Sequence, residues 1–309
     1  MKIEEAKYKS ELFLKNIQDL SKRKIAEIRR NEMLKNYAGD DEAVSFRETM
    51  EKVKNSPIKE VWATGHTSLD DHLDGGFKAG ELVLLSGYTN NGKTSFAFDL
   101  TRRMGSHNFY WLPFEESAEE LAEKCLKYGT APLDFYHPKI IVKENIEWIE
   151  ERIMEASIKY NSKIIVIDNL HFITMSESNS FTRTGMFAKH LKQIAGRLGV
   201  CIILIAHLRK SGDGMDKMPT IEDISGDSDA VKIANKTISV WQEQVKELGS
   251  KKVKYTGTTF VIVQKVRSAY GKKGAIPFNW SKGEYTEMTL EELSRKLSET
   301  KDNKIKNDF

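Results

Sequence analysis

No apolar run in this 309-residue chain approaches the ~18 residues that a membrane-spanning helix needs. The N-terminal stretch MKIEEAKYKS carries charges where a secretory signal would place its apolar region, which predicts a cytoplasmic protein without membrane association. Cysteine is scarce. Cys125 and Cys201 stand far apart among apolar neighbours, so both are expected to be buried free thiols rather than a disulfide or metal pair. The seven histidines lack ligand spacing, which argues against zinc. A net charge of +3 neither demands nor forbids a nucleic-acid partner. No internal repeat is present. Its length suffices for one α/β domain with an appendage, and 30% charged with 39% hydrophobic residues predict a soluble protein.

The first 54 residues contain no proline and one glycine, Gly39. Phe13, Ile17, Leu20, Ile25 and Ile28 recur at roughly helical spacing, so residues 1–57 form a helical segment with one apolar stripe. Such a helix has no core of its own and needs the main domain or another subunit to dock on. Pro57 marks the boundary. Residues 58–288 then alternate strands and helices, which predicts a mostly parallel sheet covered on both faces. NFYWL, KIIVID and VCIILIA are strands by composition, and KIIVKE around Ile140–Val142 is a shorter candidate. A helix is expected over Arg183–Arg197, and further strands at TISVW, TTFVIVQKV and GAIPFNW. Residues 289–309 are a charged helix and tail.

GYTNNGKTS, Gly87–Ser95, follows the apolar run ELVLLS and fits G-x-x-x-x-G-K-[ST]. Glycines let successive backbone N–H groups turn onto an anion, and the helix starting at Lys93–Thr94 adds its positive end. Gly87, Asn90, Asn91, Gly92, Lys93, Thr94 and Ser95 are therefore the candidate nucleotide-binding residues. Lys93 would reach the β- and γ-phosphates, and the Thr94 hydroxyl would be a ligand of Mg²⁺. Asp168, at the end of KIIVID, is the candidate metal-side carboxylate. A water-orienting base is expected from Glu115 or Glu116 in PFEES, the other capping the next helix. His207 ends VCIILIA, where a polar group could report loss of the γ-phosphate. Arg209 and Lys210 follow it. In QKVRSAYGKKGAIPF, strand period places Lys265 and Arg267 on one side.

In this order the motifs resemble the RecA-type ATPase core of DnaB-like replicative helicases, most in the style of the phage primase–helicase and Twinkle branch. RadA and KaiC proteins share the core. TGHTSLDDHLDGGFKAGELVLLSGYTNNGKTS is similar to its opening, and the likeness extends from about Gly65 to Tyr285. LPFEESAEEL resembles the helicase stretch that holds the catalytic glutamate, which selects Glu115. IAHLRK resembles the strand-end His or Gln, here His207. QKVRSAYGKKGAIPF resembles Lys-x-Arg-x-x-x-G, which makes Arg267 an arginine finger for the neighbouring subunit and Lys265 its companion. DISGDSDAVKIANKTISVW resembles the loop that faces single-stranded DNA. That family loop has an Arg and a second Gly where this chain has Ser225 and Ser228. DNA contact is then expected from Gly226, Ser228 and Lys232, with Arg209 and Lys210, and channel-facing loops at Thr174–Arg183 and Lys210–Asp229.

The resemblance implies an ATP- and Mg²⁺-dependent helicase, a homohexameric ring moving 5′→3′ on single-stranded DNA, with primase or loader as possible partners. The helical N-terminal domain of the bacterial helicases and a primase domain are expected to be lacking, with Met1–Lys54 serving as a subunit-docking linker. A RecA-fold regulatory or recombination ATPase that does not unwind DNA is the alternative.

Overall fold

Every residue of strand β3 (Leu82–Gly87) is buried. Its side chains alternate between two cores, Leu82 and Leu84 in one, Val83 and Leu85 in the other. Strands β5 (Ile164–Asp168) and β6 (Cys201–His207) divide their side chains in the same way. A strand covered on both faces needs apolar residues at every position, which explains the unbroken apolar runs. The computed structural model describes residues 2–39, 42–105, 108–127, 134–142, 145–169, 180–208, 217–224, 228–246, 253–296 and 298.

The other strands of the main sheet are β4 (Phe109–Pro113), β7 (Lys236–Lys246), β8 (Val253–Val266), β9 (Gly274–Ser281) and β10 (Glu284–Glu287). The eight strands run in the order β10-β9-β8-β7-β3-β6-β5-β4. β7, β3, β6, β5 and β4 are mutually parallel, and β8 to β10 continue from β7 as an antiparallel extension. A small antiparallel pair joins β1 (Val61–Trp62) to β2 (Phe77–Lys78). Helices α3 (Thr67–His72), α4 (Lys93–Arg103) and α5 (Ala118–Lys127) cover one face through Leu69, Phe96, Leu100 and Leu121. Helices α6 (Ile146–Lys159), α7 (Ser180–Leu198) and α8 (Ser228–Ile233) cover the other through Ile149, Ile153, Leu191 and Ala230. The expected α/β architecture with a mostly parallel central sheet is present.

The chain divides into two compact units, Met1–Ile58 and Lys59–Phe309. The first holds α1 (Lys2–Lys35) and α2 (Phe46–Asn55), the latter opened by a reciprocal capping box between Ser45 and Glu48. None of its described residues is buried, as a narrow apolar stripe without a core requires.

Three details differ from the sequence reading. Residues 139–142 form no strand. The outer edge of β4 is bridged by Tyr136, whose carbonyl accepts from Trp111 N–H (2.8 Å), and Pro138 then turns the chain away. β10 was not foreseen; it is a short return strand after the turn at Lys282–Gly283, both with positive φ. Cys125 is half-buried on α5, whereas Cys201 is fully buried and its thiol is pushed up by that burial.

Asp99 of α4 ties the layers together with no solvent exposure. It accepts from His66 Nε2 (2.7 Å), Arg103 Nε (2.9 Å), Arg102 and the Tyr285 amide (3.2 Å). Burial pushes this carboxyl up, but the hydrogen bond and charge of His66, with Arg103, outweigh it and hold it below the usual carboxylate range. Asp99→Ala strands His66 and a backbone N–H, so it should cost about 3–5 kcal/mol. At 2–4 °C per kcal/mol, thermal unfolding should occur roughly 10 °C lower. An unchanged melting temperature would show that the cluster contributes nothing to stability.

Candidate functional site

Ligands in open α/β sheets bind beyond the carboxyl ends of the parallel strands. Strand register brings the predicted residues to that rim. Gly87 pairs with His207, and Pro113 with Asp168, two residues before Glu115. The loop after β3 turns through Asn90 and Gly92, both with positive φ (62° and 82°), and Gly92 caps α4. Space enforces the glycines. A Cβ on Gly87 would lie 2.7 Å from the Val240 carbonyl, and one on Gly92 would lie 2.6 Å from the Tyr285 hydroxyl. Asn91 is fully buried, and its side-chain oxygen accepts from the Gln242 amide (3.0 Å), which pins the loop to β7. Asn90, Gly92, Lys93, Thr94 and Ser95 line a cleft of about 510 Å³; the Asn91 side chain serves the scaffold instead.

Lys93 is buried at the cleft floor, donating to the Tyr88 carbonyl (3.0 Å) and facing His207 Nδ1 (3.2 Å). Burial pulls its ammonium down, against the nearby Asp168 and Glu115 charges. Thr94 Oγ1 donates to Asp168 Oδ2 (2.7 Å), while Asp168 Oδ1 is buried without a partner among the described residues. Burial raises this carboxyl to about 6, more than the Thr94 hydrogen bond lowers it. A hydroxyl beside a desolvated carboxylate with an unused lone pair is an oxygen donor set that fits Mg²⁺. Among the described residues no group of three or more His, Cys, Asp or Glu is placed to hold a metal ion by itself, so phosphate and water oxygens would complete the shell.

Glu115 and Glu116 part company here. Glu116 pairs with Lys124 of α5, and the N-terminus of that helix is capped by Ser117 with Glu120. Glu115 faces His207 Nε2 (3.4 Å) and accepts from the Asn169 amide. The His207 contact is the main cause holding its carboxyl below the ordinary value, against burial. Asn169 also lies 2.7 Å from His207 Nε2. A neutral imidazole accepts at one nitrogen only, yet Lys93 and Asn169 address both. Asn169 was missed by sequence reasoning; its one signal was its place directly after Asp168. The far wall, from Gln242, Tyr255, Thr259 and Trp280, was missed as well.

Lys265 and Arg267 stand at the opposite rim. Lys265 pairs with Thr237 next to a bulge at Gln264, and the Arg267 amide donates to the Asn235 carbonyl beside the start of β3. Through Thr237, Lys265 lies level with Leu84, and through Asn235, Arg267 lies level with Leu82, so about 10 Å and about 16 Å of strand at ~3.3 Å per residue separate them from Gly87, with β7 in between. Neither can reach the phosphate loop of its own chain. Both side chains instead meet α8, on the same side as expected: Lys265 Nζ donates to the carbonyls of Val231 and Lys232 (2.9 Å to the latter), and Arg267 to that of Lys232. Of the predicted nucleic-acid contacts, Lys232 is exposed near the end of α8 and pairs with Asp229 (2.9 Å), and Ser228 opens the helix. Arg209, Lys210 and Gly226 lie outside the described residues, as do residues 170–179, 210–216 and 225–227.

No curated protein matches the sequence. Among solved structures, one described as an isolated ATPase domain has TM-score 0.65 at 17% identity, covering 80% of this chain and all of that one. A DnaB-like replicative helicase, described with its interactions with primase, has TM-score 0.63 at 18% identity over 86% of this chain and 71% of its own. A KaiC-like protein, PH0186 from Pyrococcus horikoshii OT3, has TM-score 0.53 at 20% identity over 75% and 100%. The likeness establishes the RecA-like P-loop NTPase fold. The family model AAA_25, described as AAA domain, matches residues 49–213, more than half of the sequence. The chain thus belongs to the AAA domain family AAA_25 and carries a RecA-like ATPase domain.

Proposed function

We propose that this protein is an ATP-dependent DNA helicase, a homohexameric ring that hydrolyses ATP between subunits and moves 5′→3′ on single-stranded DNA. The observation that carries the reading is the division of charged groups between the two rims of the sheet. Lys93, Thr94, Glu115, Asp168 and His207 gather at one, and Lys265 and Arg267 at the other. A nucleotide held by one chain can meet the second set only from a neighbour. Thr94 and Asp168 would hold Mg²⁺, which when bound supplies positive charge against the phosphate oxygens. Glu115 would orient the attacking water, and His207, in contact with both Lys93 and Glu115, would report the state of the γ-phosphate. The sequence resemblance and the likeness to a DnaB-like replicative helicase support the DNA substrate, and a primase or loader as partner. The two N-terminal helices, residues 1–57 in the sequence reading, would act as the subunit-docking linker.

The test is strand displacement on forked DNA with defined single-stranded tails, alongside ATP hydrolysis with and without single-stranded DNA and mass measurement with an ATP analogue. DNA-stimulated hydrolysis with displacement is the expected result. Hydrolysis without displacement, and filaments rather than rings, would favour a regulatory or recombination ATPase, a reading supported by the KaiC-like structure.

The two adjacent carboxylates give a sharper check. Glu115→Gln should keep nucleotide binding and assembly while turnover falls about 10²-fold, the usual worth of a positioned base. Glu116→Gln removes an ion pair with Lys124 and should leave turnover within about twofold. The reverse ranking in a phosphate-release assay would reassign the base.

A further inference from the structure

Helix α8 is six residues long and ends without a glycine cap. The last carbonyls of a helix need partners from outside it. The Ala230 carbonyl takes the Ala234 amide (2.8 Å) in the ordinary helical manner. Those of Val231 and Lys232 take the side chains of Lys265 and Arg267, which arrive from β8 and the residue after it. Cations are favourable at the negative end of a helix, and here two of them converge on one carbonyl oxygen. The arrangement is built rather than incidental. The bulge at Gln264 re-aims the end of β8, and Gln264 Nε2 is itself anchored on the Pro219 carbonyl (2.9 Å).

We propose that the C-terminal turn of α8 is a resting berth for Lys265 and Arg267, occupied when no neighbour presents a nucleotide. The proposal rests on the trans-acting role assigned to that pair above. The same side chains cannot cap α8 and grip a phosphate on another subunit. Gripping the nucleotide therefore strips α8 of its cap, and holding α8 competes with gripping. By reciprocity, whatever firms the end of α8 weakens the hold on the neighbour's nucleotide, and the reverse. Lys265 suits a transferable contact, since burial and the Arg267 charge lower its ammonium to about 8. α8 thereby becomes the element that registers, inside one subunit, whether the next subunit is loaded.

The test is amide hydrogen exchange across residues 228–235 in the full-length protein. Without nucleotide, the double variant Lys265→Met, Arg267→Met should exchange about tenfold faster there than wild type, as expected for loss of charge-assisted bonds. Restoring one bond in Lys265→Met, Arg267→Lys should recover part of the protection. Unchanged exchange in the double variant would overturn the berth, whatever the protein's activity. A non-hydrolysable ATP analogue with Mg²⁺ should then loosen the same residues in wild type once subunits assemble. Assembly and analogue binding with no change at 228–235 would also overturn the berth while leaving the ATPase reading intact. Failure of the analogue to bind would instead remove the functional reading on which it rests.

Discussion

Lys93→Met protein is expected to lose ATP hydrolysis by roughly 10³-fold or more, and to bind nucleotide weakly, while the nucleotide-free fold keeps or gains stability. The two effects have one origin. Lys93 is 6% exposed, and among the described residues its desolvated ammonium has the Tyr88 carbonyl and His207 as hydrogen-bond partners, with the Asp168 and Glu115 charges near but not paired to it. A buried cation without a paired anion is costly, and methionine keeps the stem while removing the charge. In the proposed function phosphate oxygens would offset that cost, so the charge would serve binding and turnover rather than folding. Calorimetric unfolding and phosphate release on the same preparation would check both. Near wild-type turnover would remove the basis of the nucleotide site.

For Arg267→Ala the expected result is normal nucleotide binding with hydrolysis reduced ~10³-fold or more, the range for an arginine supplied across an interface. Its own phosphate loop is untouched, because about 16 Å of β3 lies between them. The guanidinium is exposed, so if it did nothing but cap α8 the loss of activity would be small. Mixing distinguishes the cases. Arg267→Ala and Lys93→Met chains are each inactive, yet a mixed assembly contains interfaces with an intact loop on one side and an intact arginine on the other. Recovered hydrolysis in the mixture is the expected outcome. Full activity in Arg267→Ala alone would refute the role in trans.

The phosphate loop was legible because its residues are contiguous and its spacing is fixed by backbone geometry. Asp168 and His207 were legible because each ends an apolar strand, and parallel strands deliver their last residues to one rim. Spacing alone left Glu115 and Glu116 open, and the family resemblance selected Glu115. The Lys124 contact shows that Glu116 is occupied elsewhere. Gln242, Thr259 and Trp280 stayed hidden because strand pairing, parallel for β7 and antiparallel for β8 and β9, places them beside the loop rather than sequence proximity. Asn91 was misplaced in emphasis for a related reason: within the loop, one side chain must hold the scaffold, and only the β7 contact shows which. The KIIVKE segment had strand composition, but Tyr136 had already bridged the edge it would have joined.

The direction of β3 has a consequence for shape. It runs from the rim with Arg267 to the rim with Lys93, so each chain is a vector with unlike ends. A two-fold pair would exchange unlike ends reciprocally and close on itself with two sites. Head-to-tail contacts instead make closed rings when the turn per subunit divides the circle and open helices when it does not. In the proposed ring every copy would point the same way around, and a strand passing through the centre would meet a surface with a sense of rotation already built in.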